Sequence, residues 1–283
     1  MRVDLLASGS KGNCCIVRDG TTCIMIDCGT TRKYLKGAME KAGVHHDDID
    51  ALLITHDHTD HISQLKLFAD LPVYSPVELM ETDVFAVRPM RSFYIETLKI
   101  TPLALSHDAP HTTGYILENG QEKLVYITDT GYVNEKYFPL LKDADTIVME
   151  SNHDVQMLMH TSRPQYVKAR IYSDEGHLNN EECAEVLDHI VTGKTKMIFL
   201  AHISQQGNTR EKSLEETMKV LRQRTDLNPA LKVCAAGQFE ILTKGETDEE
   251  MDCGTVFCSA GVERRAECTG LFKEEKRNRD KAE

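Results

Sequence analysis

One short segment of the sequence concentrates metal-binding side chains in the pattern His-x-His-x-Asp-His. Its members are His56, His58, Asp60 and His61, and they directly follow an apolar run over residues 51–55 that predicts a buried strand. Alternate residues of an extended chain point to the same side, so His56 and His58 face one centre. Asp60 and His61 begin the next turn and face a second one. Imidazole and carboxylate ligands suit zinc, manganese or iron, and two such ions about 3.5–4 Å apart would hold a hydroxide ready for attack.

A dinuclear site needs more ligands than this segment supplies, and the rest of the chain offers them. Ligand-type residues directly follow four other apolar runs; they are Asp27, His107, Asp129 and His202. Each run predicts a strand, and a sheet sandwich carries its site where such strands end. One such residue would mean little, but four of them support a metal-dependent enzyme.

The elements that must position these residues form a strand-rich chain with interspersed helices. Strands are predicted at 3–7, 14–18, 22–27, 51–55, 73–75, 99–106, 114–118, 124–128, 146–149, 197–201, 232–235 and 239–242. Helices are predicted at 164–172, 180–191 and 213–224, and a further one is capped by Thr30 or Thr31 and closed by Gly43. This order predicts two packed sheets with helices outside them, an α/β sandwich.

The composition changes near the carboxyl end of the chain. Residues 246–252 carry five acidic side chains, and the last eleven residues are almost all charged or polar. We therefore predict a catalytic domain over residues 1–244 and a charged, flexible tail over residues 245–283.

The charge and cysteine content narrow the function classes. The formal net charge is -12, which counts against a passive nucleic-acid binder with a broad basic face. It does not count against an enzyme that meets a phosphate through bound cations. The nine cysteines form no Cys-x-x-Cys pair, which indicates a reducing, cytoplasmic setting. No signal peptide and no apolar run of ~20 residues is visible, so we expect a soluble protein without a membrane partner.

In the type and order of these residues, the chain resembles the metallo-β-lactamase fold hydrolases over roughly residues 2–243. The resemblance implies an αββα four-layer sandwich with the site along one edge of the two sheets. It also implies one metal on His56, His58 and His107, and a second on Asp60, His61 and His202. Asp129 would bridge the two metals, and Asp27 would orient the metal loop without binding a metal.

Further segments resemble the YycJ/WalJ-type subgroup, whose members are assigned as DNA exonucleases. They are residues 8–13, 150–154, 176–180 and 201–204. The resemblance implies a DNA phosphodiesterase of the 5′–3′ exonuclease kind that uses two divalent ions, zinc or manganese.

Several residues outside the ligand set are candidates for the chemistry. His177, paired with Glu150, could protonate the leaving oxygen, and His153 faces the site in this interpretation. Ser8, Ser10 and Asn13 lie in a glycine-rich loop whose amides could receive a phosphate, although a plain tight turn explains it equally well. Candidates for contacts with a nucleic-acid backbone are Arg163, Lys168, Arg170, Arg210 and Lys212.

Two other functions remain open at this point. A thioester or lactam hydrolase of the glyoxalase II or β-lactamase kind would use the same ligands on an acyl carbon. A metal-bearing regulatory module without turnover is the other. The sequence leaves undecided the metal, whether the substrate is DNA or RNA, its strandedness, the polarity of cleavage, and assembly into a homo-oligomer.

Overall fold

The computed structural model describes residues 1–80 and 82–245, together with the backbone of three short strands between residues 251 and 264. The strands are β1 (Arg2–Ala7), β2 (Cys14–Asp19), β3 (Thr22–Ile26), β4 (Ala51–Leu53), β5 (Val73–Ser75), β6 (Phe85–Ala86), β7 (Phe93–Ile95), β8 (Leu98–Ala104), β9 (Thr113–Glu118), β10 (Lys123–Ile127), β11 (Thr146–Glu150), β12 (Met197–Ala201), β13 (Lys232–Ala235), β14 (Leu242–Lys244), β15 (Met251–Asp252), β16 (Val256–Cys258) and β17 (Glu263–Arg264). The helices are α1 (Arg32–Ala42), α2 (Thr59–Ile62), α3 (Phe138–Leu141), α4 (Val155–His160), α5 (Gln165–Tyr172), α6 (Asn180–Ile190) and α7 (Arg210–Leu221).

The strands form two sheets. The first has the order β15-β14-β1-β2-β3-β4-β5-β6, and the second has the order β17-β16-β13-β12-β11-β10-β9-β8-β7. Both sheets are mixed: β3 and β4 are parallel in the first sheet, and β10 to β13 are parallel in the second. Parallel strands end at the same edge of their sheet, so the residues that follow them come together.

Alternation along the strands builds a core between the sheets and one on each outer face. In β1, Leu5 packs between the sheets and Leu6 packs outward in the cluster that includes α1. In β12, Phe199 faces the other sheet and Leu200 faces the layer that includes α6 and α7. The arrangement is helix, sheet, sheet and helix, which confirms the predicted αββα sandwich. No helix in the described part of the chain combines the length and apolarity that crossing a membrane requires.

Two predicted elements begin elsewhere than expected. The strand predicted at 239–242 begins later, as β14. The segment before it turns toward the amino-terminal loop, where Gln238 accepts a hydrogen bond from Lys11 N and donates one to Gly12 O. Helix α7 begins three residues before the predicted position, since the Thr209 side chain accepts from Lys212 N and caps it. Helix α4, six residues long and capped by Asp154, was not predicted because it is too short for a clear helical period.

The predicted tail lies mostly outside the described residues. Within it the backbone of β15, β16 and β17 is described, and these short strands extend the two sheets. The boundary at residue 244 and the flexibility of the tail stay predictions.

Candidate metal centre

The candidate ligands lie where strands end, along one edge of the sandwich. Asp27 follows β3, Asp129 follows β10 and His202 follows β12. All three have left-handed backbone, with φ of 58°, 59° and 54°. Such a conformation costs a non-glycine residue on the order of 1–3 kcal/mol and is common at functional sites. All three side chains are buried in this edge of the protein.

Among the described residues, four overlapping groups of side chains could hold metal ions. Within each group, the donor atoms lie within 4.8 Å of one another. The groups are His56, His58 and His107; His56, His61 and Asp129; Asp60, His61 and His202; and Asp129, Glu150, His177 and His202. The structure therefore brings together every residue that the sequence analysis assigned as a metal ligand. Asp129 lies centrally among them: its carboxylate is 3.2 Å from His61 Nε2, 3.5 Å from His202 Nε2 and 3.9 Å from His107 Nε2.

Asp27 holds His61 in place from the side away from the centre. Its Oδ2 lies 2.7 Å from His61 Nδ1, and its two oxygens accept from the amide and hydroxyl of Thr55, each at 2.9 Å. A carboxylate only accepts, so His61 Nδ1 carries the proton and Nε2 is the nitrogen directed at Asp129. This contact lies where the orienting role that the resemblance implied for Asp27 requires one, and the role itself stays a prediction.

His107 and His202 are oriented in the same way by acceptors behind them. His107 Nδ1 donates to Gly176 O at 3.0 Å, and His202 Nδ1 lies 2.8 Å from Glu150 Oε1. Because Nδ1 of each ring is engaged in this way, Nε2 of each ring faces the centre. Outer partners of this kind fix the tautomer and ring orientation of metal-binding histidines.

A divalent cation fits this donor set. Nε2 of His56 and Nε2 of His202 are buried and have no hydrogen-bond partner among the described residues. An unpartnered buried polar atom costs about 1–3 kcal/mol, so these two nitrogens are unfavourable without a ligand. Imidazoles combined with carboxylates match zinc, manganese and iron.

The electrostatics around His61 and His202 also favour positive charge. Burial alone would lower the pKa of His61, but the carboxylates of Asp27 and Asp129 raise it well above its usual range. For His202, Asp129 and Glu150 likewise outweigh burial and raise the pKa to about 9. A cation that binds here must displace these protons, so its affinity falls as the pH falls.

Glu150 joins His177 to the centre, as the sequence analysis expected. Its Oε1 lies 2.7 Å from His177 Nδ1 and 2.8 Å from His202 Nδ1, while Oε2 accepts from Thr130 N at 2.8 Å. Although burial would raise the pKa of Glu150, His177 and His202 lower it to about 2. Glu150 is therefore ionised at neutral pH and accepts from both imidazoles.

The remaining predicted site residues lie at different depths. Ser8 is buried, and its Oγ accepts from His202 N at 2.7 Å. Asn13 is also buried: its Nδ2 lies 2.9 Å from His61 Nε2, and its Oδ1 accepts from Gly9 N. Ser10 is exposed at the tip of the loop. His153 is buried with no hydrogen-bond partner on either ring nitrogen among the described residues, and burial lowers its pKa to about 4.

Asp108 is a site residue that the sequence analysis missed. Its Oδ1 lies 3.2 Å from His107 Nε2 and 3.7 Å from His58 Nε2, and its Oδ2 accepts from Arg170 Nη1 at 2.5 Å. Its position directly after His107 is the one feature of the sequence that could have indicated a place in the site. The partner in α5 could not be found from sequence.

The other basic residues proposed for backbone contacts are engaged elsewhere. Lys168 is buried and donates to Met159 O, so the expectation that it contacts a nucleic-acid backbone was wrong. Arg210 pairs with Glu240, Lys212 pairs with Asp154, and Arg163 donates to Gln206.

Gly29 holds the histidine segment against the glycine-rich loop. A Cβ at Gly29 would lie 1.6 Å from Asp60 O, and Gly29 N donates to Asn13 O at 3.0 Å. We expect Gly29→Ala to lower the free energy of unfolding by roughly 3 kcal/mol, because backbone must move to admit the methyl group.

Urea denaturation measures this effect, and Gly37→Ala is the matched control. Gly37 lies inside α1, and a methyl group added there would have no neighbouring atom within 4 Å, so its replacement should stabilise the protein by about 0.5–1 kcal/mol. Equal stability of the Gly29→Ala variant and the wild-type protein would contradict the close approach.

Comparisons with known proteins agree with this fold. The family described as a beta-lactamase superfamily domain matches residues 22–203. Exodeoxyribonuclease YycJ of Bacillus anthracis is 34% identical over 240 residues, which cover 79% of this chain and 90% of that protein. Exodeoxyribonuclease WalJ of Streptococcus pneumoniae is 30% identical over 228 residues, covering 74% of this chain and 84% of that protein.

A solved structure supports the fold independently. The metallo-β-lactamase fold protein YhfI from Bacillus subtilis matches with a TM-score of 0.64 and 17% sequence identity, covering 86% of this chain and 99% of that chain. The family match, the relatives and the two-sheet architecture agree with the resemblance seen in the sequence. The chain therefore belongs to the β-lactamase superfamily and has the metallo-β-lactamase fold.

Proposed function

We propose that the protein is a metal-dependent phosphodiesterase that hydrolyses DNA from its ends. The observation that carries this proposal is the Glu150–His177 pair beside the donor groups, since a proton donor held next to a metal centre suits departure of an alkoxide. Support for the substrate comes from the relatives, because the two proteins of 34% and 30% identity are both named exodeoxyribonucleases.

Two divalent ions, zinc or manganese, would complete the site. His56, His58 and His107 would hold one; Asp60, His61 and His202 would hold the other, and Asp129 would lie between them. When bound, such ions supply an activated water at neutral pH and neutralise charge on the phosphate oxygens.

The chain's own groups do the remaining work. Glu150 accepts from His177 Nδ1, which fixes the ring and leaves Nε2 to carry a proton to the leaving oxygen. Because Glu150 is ionised, it remains an acceptor for His177 Nδ1 and keeps the ring in this orientation. Asp27 and Gly176 O keep His61 and His107 turned toward the centre, so no rearrangement of these rings is needed during the reaction.

Parallel hydrolysis assays test this function against its main alternative. We expect the metal-loaded protein to hydrolyse bis(p-nitrophenyl) phosphate and to shorten end-labelled DNA, and not to hydrolyse a glutathione thioester. Hydrolysis of the thioester or of a lactam with no action on either phosphodiester would replace the proposal with an acyl hydrolase. Tight metal binding with no hydrolysis of any of these esters would favour a regulatory module.

A further inference from the structure

We propose that Arg170 binds the phosphate next to the scissile one, so that the site prefers polynucleotides to small phosphodiesters. This inference rests on the proposed function and adds a specificity-determining residue to it. Asp108 is a positioning residue that holds the Arg170 guanidinium beside the centre.

The Asp108 carboxylate lies between the guanidinium of Arg170 and the donor atoms of the centre, and it contacts both. Asp108 contacts His107 Nε2 and His58 Nε2 with Oδ1 and receives Arg170 Nη1 on Oδ2. A scissile phosphate would lie at the donor groups themselves. The Asp108 carboxylate separates the guanidinium from those groups, so we assign to Arg170 the next phosphate of a chain that continues past the scissile bond.

Stability does not account for this ion pair. The Arg170 side chain is 60% exposed, and ion pairs at such exposure contribute about 0–1 kcal/mol. The contact with Asp108 uses one terminal nitrogen of a fork with five donors. A forked guanidinium with donors facing solvent matches the oxygens of a phosphate.

The charge around the centre makes a fixed cation there useful. Asp60, Asp108, Asp129 and Glu150 place four carboxylates at or near the donor groups, and the chain as a whole carries a net charge of -12. Cations bound at the centre would offset part of this charge for the scissile phosphate only. Of the five basic residues considered for backbone contacts, Arg170 is the one joined to a ligand histidine through a single intervening side chain.

The test compares Arg170→Ala with wild-type protein on two substrates at several salt concentrations. On an oligonucleotide we expect KM to rise roughly tenfold or more, the loss typical of one charged hydrogen bond. The dependence of log kcat/KM on log salt should become shallower by about 0.7–0.9, the change for one phosphate contact. On bis(p-nitrophenyl) phosphate, which has no neighbouring phosphate, both parameters should stay unchanged.

Three further variants separate the role of Arg170 from general effects. Arg170→Lys should keep the salt dependence and show an intermediate KM, because it retains the charge and loses the fork. Asp108→Asn should raise KM for DNA, because the Arg170 guanidinium loses the carboxylate that holds it. Arg91→Ala removes an exposed arginine ahead of β7 and should change nothing. Metal content, measured by mass spectrometry, should equal that of wild type in Arg170→Ala.

The outcomes that overturn the proposal are distinct from those that overturn the function. An unchanged salt dependence in Arg170→Ala, or an equal loss on both substrates, contradicts the contact with a neighbouring phosphate. If wild-type protein hydrolyses the small phosphodiester and leaves DNA intact at every salt concentration, the DNA substrate itself is wrong.

Discussion

Asp129→Asn should reduce kcat for DNA hydrolysis on the order of 10³-fold and lower the metal content of the purified protein. The Asp129 carboxylate lies within 3.9 Å of Nε2 of His61, His107 and His202, so it contacts both halves of the proposed metal centre. An amide keeps the shape but removes the negative charge and one acceptor oxygen, and charge stabilisation by such a centre is worth several kcal/mol. Single-turnover kinetics together with metal analysis measure both effects.

Asp47→Asn is the matched control for this variant, because the Asp47 side chain is fully exposed ahead of β4. It should leave kcat and metal content unchanged. Full activity and two bound metals in a folded Asp129→Asn protein would contradict the assignment of Asp129 to the centre.

His177→Ala should reduce kcat for DNA by about 10²–10⁴-fold, the range expected when a general acid is removed. The loss should be much smaller on bis(p-nitrophenyl) phosphate, because a nitrophenolate leaves without a proton whereas the alkoxide of a sugar does not. The structural reason is the 2.7 Å contact between His177 Nδ1 and Glu150, which aims the imidazole beside Asp129.

His45→Ala serves as the control for His177, since His45 is exposed in the loop before β4, whereas the histidine segment of the site follows that strand. An equal loss on both substrates would mean that His177 supports the centre itself and does not donate a proton. Retained metal content in His177→Ala keeps these two outcomes apart.

The sequence predicted the two-sheet fold and the clustering of ligand-type residues at strand ends, because both depend on local signals. Each ligand follows an apolar run, and a run of buried residues marks where a strand ends. The histidine segment adds a spacing that places two rings on one side of the chain. Both features belong to single segments and do not depend on how the strands pair. His56, His58 and Asp129 could therefore be predicted as ligands without knowing the sheet order.

Contacts between distant segments were not predictable in the same way. Asp108 meets Arg170 across 62 positions, and Asn152 donates to His202 O across 50. Nothing in the composition around Lys168 indicated that it is buried against Met159 O and not exposed like Arg170. The orientation of α5 on the sandwich decides which of its basic residues reaches the site, and tertiary packing sets that orientation.

The net charge illustrates how local geometry changes a conclusion drawn from composition. A chain with a net charge of -12 should repel DNA on average. The centre nevertheless concentrates donors for cations along one edge, and Arg170 adds a positive group beside it. Action on DNA ends, through a small site, is compatible with this distribution, whereas non-specific binding along a duplex is not.

The most direct test of the central claim is a metal titration of the stripped protein with end-labelled DNA as substrate. We predict that release of nucleotides from the DNA end rises with added manganese or zinc and reaches its plateau at two equivalents per chain. DNA that stays intact at every metal load, or cleavage at full rate by metal-stripped protein, would contradict a dinuclear metal-dependent DNA phosphodiesterase.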